Sequence, residues 1–368
     1  MSSSISIESG IPIVNFAGWN DEHRRRQIAQ DLVIACHDVG FVYIINHGIP
    51  EAVMDEAFDW TKKLFHLPHD QKMLAPHAPG PDVHRGYSYP GLEKVSQVYG
   101  RDADDENISK ALREVKDCKV SNNAHENHRE LKLVQESYEI GSENNAFMPN
   151  VWLPEDTLPG FGEFGLSFYW RCNAVAQTIL TALAIGLELD SADALTKVHS
   201  GDYNQLRLLH YPAIRAEELE KQTSARMPAH TDWGSITLLF QDDCGGLQVE
   251  DPNEKGKFTD ATPIKNGLMM NVGDMLMRWS NEGIKRLMRA LDYLKSTLHR
   301  VTLPRLSDRF EGEERLTRER YSIPYFLTPD MDTVVQCMDE CKTLTGPPKY
   351  EPIKAGEYLT MRAKLQYE

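Results

Sequence analysis

The chain has no long apolar run: nowhere in its 368 residues do about 18 consecutive apolar side chains occur, the length a helix needs to span a bilayer. Its opening, Met1-Ser2-Ser3-Ser4-Ile5-Ser6, has neither the basic flank nor the apolar stretch of a secretory leader. Positive charge is also in short supply. Lys and Arg number 40 against 55 Asp and Glu, a formal net charge of -15, and no basic-aromatic groove motif stands out. Nucleic acid and anionic membranes are therefore excluded as partners, because both are themselves negative. A small-molecule substrate is expected instead. The six cysteines, Cys36, Cys118, Cys172, Cys244, Cys337 and Cys341, form no CxxC metal pattern and no cysteine-dense secreted scaffold. They read as reduced thiols, and the chain as cytoplasmic. No Pro/Gly/Ser linker interrupts the middle, although the length permits two domains.

Two kinds of hydrophobic periodicity are present. Ile11-Pro12-Ile13-Val14-Asn15-Phe16 and Phe41-Val42-Tyr43-Ile44-Ile45 read as strands, separated by a helical pattern from Arg24 to His37 that Gly40 ends. Pro50 opens a second helix running to Phe65. Residues 68 to 145 are polar and read as irregular, with an acidic patch at 102–106 and a solvated run at 121–128 in which His125 and His128 are not assigned to a metal. The apolar period from Phe164 to Leu187 predicts the longest helix, bracing a sheet. From Asn204 onward the texture becomes short branched and aromatic segments between Gly, Pro and Asp turns: Gln205 to Tyr211, Ser235 to Phe240, Gly246 to Val249, Gly267 to Val272, Leu298 to Val301 and Tyr321 to Phe326. That pattern favours an antiparallel sandwich or barrel of jelly-roll type. The expected division is an N-terminal α/β region over 1–150 packed on a helix-plus-jelly-roll region over 151–368, the whole forming one compact unit.

The chemistry-bearing residues lie in the β-rich half. His230-Thr231-Asp232 followed by the distant His299 offers two imidazoles and one carboxylate, the donor set of a non-haem Fe(II) site that leaves coordination positions open. On an alternating strand residues i and i+2 share one face, so His230 and Asp232 are expected to point inward together, with His299 joining them from another strand. Taken singly, each histidine is weak evidence, since a solitary one is more often a satisfied structural or surface residue. Arg320 in isolation reads as part of an ordinary solvated ion pair within a highly charged stretch, yet a guanidinium is also the rigid double donor suited to a carboxylate, and Ser322 shares its face of a strand.

Taken in order, Ile11-Pro12-Ile13-Val14, Gly40 to Pro50, Arg85-Gly86-Tyr87, Glu136 to Gly141, Leu209-His210-Tyr211-Pro212, His230-Thr231-Asp232, Gly273-Asp274, Lys295 to Val301 and Arg320-Tyr321-Ser322 resemble the isopenicillin N synthase-like branch of the Fe(II)/2-oxoglutarate-dependent dioxygenase superfamily. The resemblance implies a mainly β fold with flanking helices around a double-stranded β-helix (jelly-roll) core. It implies that His230, Asp232 and His299 bind Fe(II) and serve as the catalytic centre, that Arg320 and Ser322 hold the far carboxylate of 2-oxoglutarate, and that Tyr211 reaches the same carboxylate. Many plant relatives carry Asn two positions before that tyrosine, where this chain has Leu209; Asn204 and Arg207 are candidates for the missing contact, or else satisfy the sheet edge. Phe240, Leu247 and the Phe326 segment are candidate walls.

The resemblance further implies that O2 and 2-oxoglutarate are consumed together, giving succinate and carbon dioxide while a small organic molecule, expected to be a secondary metabolite, is hydroxylated, desaturated or closed into a ring. Two alternatives stay open: a 2-oxoglutarate-independent oxidative cyclase, and a non-catalytic ligand-binding or partner-binding relative. The second arises because the stretch before Lys295 is longer than in typical relatives. Leu287, Met288, Leu291 and Leu294 fall at helical spacing within 284–294, a segment that can be a helix over the sheet, a lid, a dimer contact, or a displacement of His299.

Overall fold

The computed structural model describes residues 6–8, 10–78, 84–92, 132–220, 224–281, 294–303, 310–311, 315–341 and 348–367. The patches at 102–106 and 121–128, and the 284–294 segment apart from Leu294, lie outside the described residues. Its principal strands are β1 Ser6–Glu8, β2 Ile11–Asn15, β3 Phe41–Ile45, β4 Gly86–Ser88, β5 Glu136–Ile140, β6 Gln205–Tyr211 and β7 Met227–His230, followed by β8 Ile236–Gln241, β9 Leu247–Glu250, β10 Phe258–Asp260, β11 Leu268–Val272, β12 His299–Val301 and β13 Arg320–Leu327. The principal helices are α1 Glu22–Asp38, α2 Glu51–Phe65, α3 Phe161–Gly186, α4 Asp274–Ser280 and α5 Ala355–Tyr367.

Nine strands form one sheet in the order β1-β2-β3-β11-β8-β13-β6-β5-β4, and four form a second in the order β10-β9-β12-β7. Together they make a jelly-roll core, the double-stranded β-helix that the resemblance implies, flanked by helices. Pairing among β6 to β13 is antiparallel, and β2 runs parallel to β3. The N-terminal residues are therefore part of the main sheet, β3 pairing directly with β11. Among the described residues no helix is long and apolar enough to cross a membrane.

Helix boundaries follow local chemistry. Asp21 caps α1 by accepting from the Arg24 amide at 3.0 Å, satisfying a donor that has no partner inside the helix. Gly40 then turns the chain with φ of +78°, and a Cβ there would meet Lys295 O at 2.3 Å and Thr297 Oγ1 at 2.4 Å. That close approach lets Thr297 donate to Val39 O at 2.7 Å and ties the segment leading into β12 to the end of α1. The apolar faces of α1 and α3, with Leu32, Val33, Leu180 and Leu183 fully buried, build a large core behind the main sheet. A smaller core of Phe41, Tyr43, Leu209, Tyr211, Leu247 and Val249 fills the space between the sheets.

The structure departs from expectation in three places. The 68–145 stretch is not uniformly irregular: β4 and β5 are strands of the main sheet, and every residue of β5 is buried. Its polar residues Glu136, Ser137 and Glu139 mask the strand pattern because each is buried with a polar partner, Lys72 for Glu136 and Arg207 for Glu139. The strand carrying His230 ends at that residue, so Asp232 reaches the same place from the turn beyond rather than by strand alternation. Phe240 faces Phe168 and His47 on the helix side of the sheet, and so is not a wall of the site.

Candidate functional site

Strands β7 and β12 are neighbours, with His230 directly opposite His299 and a register shift after that pair. The ring centroids are 4.2 Å apart. The ligand atoms of His230, Asp232 and His299 all lie within 4.8 Å of one another. His299 is not displaced by the segment that precedes it. Asp232 Oδ1 stands 3.8 Å from His230 Nε2 and 3.7 Å from His299 Nε2. These separations are too long for hydrogen bonds, so three buried or half-buried donors converge on a common point without satisfying one another.

Their orientation is set from behind. His230 Nδ1 lies 2.9 Å from Pro228 O, and His299 Nδ1 lies 3.2 Å from Thr297 O. A carbonyl oxygen only accepts, so Nδ1 carries the proton and Nε2 presents its lone pair to the centre. Asp232 Oδ2 accepts from Thr237 Oγ1 at 2.6 Å and from Asn271 Nδ2 at 2.7 Å, which turns Oδ1 towards the imidazoles. Burial alone would raise the Asp232 carboxyl, but His299, His230 and these two donors outweigh it and hold the pKa below the ordinary carboxylate value. Burial, reinforced by the neighbouring His299, pulls His230 down to about 4. A neutral His230 beside an ionised Asp232 is the pairing of protonation states a divalent metal requires. In the Asn271→Ala protein, Asp232 loses one of its two anchors, and Fe(II) affinity measured by chelator competition is expected to fall roughly 10- to 100-fold.

A second cluster forms at the other end of the same cavity. Arg320 opens β13 opposite Tyr211 of β6, and Ser322 lies opposite Leu209 on one side and Gln241 on the other. Arg320 is 1% exposed. Its nitrogens donate to Gly245 O at 2.9 Å, Ser322 Oγ at 3.0 Å and Gln241 Oε1 at 3.1 Å, while its guanidinium carbon lies 5.0 Å from the Tyr211 ring centroid. All three direct acceptors are neutral. Among the described residues no carboxylate lies within ion-pair distance of this buried cation, an arrangement that is costly without an incoming anion. Arg226, which sequence reasoning did not single out, is also buried, 5.9 Å from the Tyr211 ring.

The triad, Arg320, Ser322 and Tyr211 all line one cavity of about 720 Å³, a size suited to a small ligand together with a cosubstrate. Leu247 and Phe326 line it as well. Of the two candidates for an additional polar contact, Arg207 faces the cavity, whereas the Asn204 amide is consumed by Asn173, Tyr325 and the Thr328 amide. The C-terminal helix supplies a wall that sequence reasoning missed. Its Arg362 donates to Asp274 Oδ2 at 2.6 Å, and Asp274 in turn accepts from Ser296 Oγ at 2.7 Å and donates its amide to Asp232 O at 2.8 Å. One buried carboxylate thus joins α5 to both metal-donor segments. The available signal for Thr237 and Asn271 is a polar residue inside an otherwise apolar strand; for Arg362 there is none, since a cation on a terminal helix is ordinarily solvated.

Comparison with known proteins gives a consistent picture. The model described as the 2OG-Fe(II) oxygenase superfamily matches residues 203–329, and the one described as non-haem dioxygenase in morphine synthesis N-terminal matches residues 11–155. The 2-oxoglutarate-Fe(II) type oxidoreductase ppzD of Metarhizium majus is 37% identical over 343 residues, 93% of this chain and 90% of that protein. The proline hydroxylase buaE of Petromyces alliaceus is 35% identical over 346 residues, 94% and 95% of the two chains. Among solved structures, a full-length Neurospora crassa protein in complex with alpha-KG and thymine superposes with a TM-score of 0.77 at 34% identity, covering 98% of each chain.

Proposed function

Because the chain belongs to the Fe(II)/2-oxoglutarate-dependent oxygenase superfamily, we propose that His230, Asp232 and His299 hold its iron and that Arg320, Ser322 and Tyr211 hold the distal carboxylate of 2-oxoglutarate. It is a 2-oxoglutarate-dependent dioxygenase acting on a small organic molecule. The observation that carries the residue assignment is the placement of a convergent, unsatisfied donor triad and a buried guanidinium lacking a carboxylate partner in one cavity.

When bound, Fe(II) with 2-oxoglutarate would activate O2, the oxidant, for attack on an unactivated C–H bond while 2-oxoglutarate is oxidised to succinate and carbon dioxide. The protein supplies position and enclosure. His230 and His299 present Nε2 because backbone carbonyls fix their protons on Nδ1; Thr237 and Asn271 hold Asp232 ionised and oriented. Arg320 provides a planar set of donors for a carboxylate, and Ser322 adds a hydroxyl. Leu247, Phe326 and Leu359 line the cavity with apolar surface, which limits water near the reacting centre.

Finer statements rest on the same reading. The N-terminal segment through Pro50 and the Arg320-Tyr321-Ser322 motif support placement in the isopenicillin N synthase-like branch. The fungal origin of relatives such as ppzD and buaE supports a secondary metabolite as substrate. One relative is named for proline and one structure holds thymine, so neither substrate transfers directly. Pairing of β3 with β11 and of β5 with β6 supports the 1–150 and 151–368 regions acting as one unit. Buried, unbridged thiols at Cys36, Cys172 and Cys244 support the cytoplasmic reading.

The deciding experiment is anaerobic titration of the Fe(II) protein with 2-oxoglutarate, read by visible absorption. A saturable metal-to-ligand charge-transfer band, followed on admission of oxygen by succinate formation, is the expected result. Demonstrated iron binding with no such band would overturn the cosubstrate assignment.

A further inference from the structure

Arg85, immediately before β4, is a second buried guanidinium in the cavity wall. It is 1% exposed, and its Nη1 donates to His84 O at 2.6 Å. Its Nε and Nη2 donate to nothing among the described residues. The nearby Arg207 is committed to β5: its Nε stands 2.9 Å from Glu139 Oε1, and its Nη2 donates to Ser137 Oγ at 2.9 Å. Arg85 has no ion pair of its own among the described residues. The bare backbone of Gly141 holds its guanidinium closely, since a Cβ there would lie 1.9 Å from Nη2. Burial keeps the Arg85 pKa below the ordinary arginine value although Tyr169 and Glu139 oppose it, the direction of a cation short of counter-charge.

The same physical pattern marks the Arg320 end: a buried guanidinium with neutral direct partners, facing a cavity, in a protein that must bind an anion. The two sites do not serve one molecule of 2-oxoglutarate. Gly86 is in register with Glu139, and Glu139 with Arg207, so three interstrand steps separate Arg85 from β13. At about 4.8 Å per strand and about 3.4 Å per residue, Arg85 lies roughly 20 Å from Arg320 along the sheet surface, much longer than 2-oxoglutarate itself. Met148, Phe326 and Leu359 also line the cavity, apolar surface for the body of a ligand.

We propose that Arg85 receives a carboxylate of the primary substrate, so that this oxygenase acts on small organic acids. The inference rests on the cavity being the oxygenase site assigned above. Gln205, on the same face of β6 as Arg207 and also lining the cavity, is placed to add an amide donor.

The test uses a matched pair of probes, 4-fluorophenylacetate and 4-fluorophenylacetamide, titrated by fluorine NMR against the anaerobic protein loaded with Fe(II) and 2-oxoglutarate. In the wild type the acid is expected to bind at least ten-fold more tightly than the amide. Arg85→Gln should abolish that preference, and Arg85→Lys should keep part of it, because charge remains without the planar fork. An acid that binds no better than the amide to the wild type, including no binding of either, overturns the proposal, as does an undiminished preference in Arg85→Gln. The wild-type comparison decides the matter even if the glutamine variant does not fold. The 2-oxoglutarate charge-transfer band reports separately: its absence in the wild type defeats the cosubstrate assignment, whereas its presence with no acid preference defeats only the role given to Arg85.

Discussion

In the His299→Ala protein, 2-oxoglutarate is expected to raise no charge-transfer band under anaerobic conditions, and succinate formation is expected to fall by roughly a thousandfold or more. The size follows from the position of the residue. Removal of a hydrogen-bonding group behind a metal ligand typically costs about 10- to 100-fold in affinity or activity, and a ligand lost from a three-residue set costs more, because no other described side chain offers a replacement donor there. The fold should survive. His299 lies on a short strand at the cavity, its ring against Phe41 at a centroid distance of 5.2 Å, so a cooperative thermal melt should remain while Fe(II) affinity collapses. Retention of wild-type iron affinity by this variant would remove His299 from the metal site.

Replacing Arg320 by alanine should separate the two ends of the cavity. Fe(II) affinity should change little, whereas KM for 2-oxoglutarate should rise about 10²- to 10³-fold. Leaving a buried charge without its hydrogen-bonded partner costs on the order of 2–5 kcal/mol, here the cosubstrate carboxylate brought against a wall that has lost its cation. Arg320→Lys should recover only part of that loss, because a lysine supplies charge without the planar fork and cannot reproduce the simultaneous bonds to Gly245, Ser322 and Gln241. A KM within a factor of about three of wild type in Arg320→Ala would place the cosubstrate elsewhere. Both measurements can be made before the primary substrate is known, since slow uncoupled succinate formation and the anaerobic band need no primary substrate.

Local chemistry made much of the fold legible. Short runs of branched and aromatic residues bounded by turn residues mark β3, β6, β8 and β13 to within a residue or two of their observed limits, β3 being apolar on both faces. The long helix α3 follows equally from its apolar period. Strand β5 carries no such pattern. There Glu136, Ser137 and Glu139 are buried, and polar side chains read as solvated until their partners, Lys72 and Arg207, are known to come from distant parts of the chain. The same limit applies to Asp232, whose approach to the histidines depends on a turn rather than on strand alternation.

By itself the sequence determined the donor types, their order, and the alternation that puts Arg320 and Ser322 on one face of a strand, since these depend on covalent spacing and on the period of two in an extended chain. Only the tertiary structure decided which groups meet. It brought His230 opposite His299 across two strands, set Thr237 and Asn271 behind Asp232, drew Arg362 of the last helix onto Asp274, and left two donor nitrogens of the buried Arg85 unused among the described residues. Apart from Thr237 with Asp232, those contacts join residues far apart in the chain, and their strength comes from exclusion of water in the folded state, a condition that a linear pattern of residues does not encode.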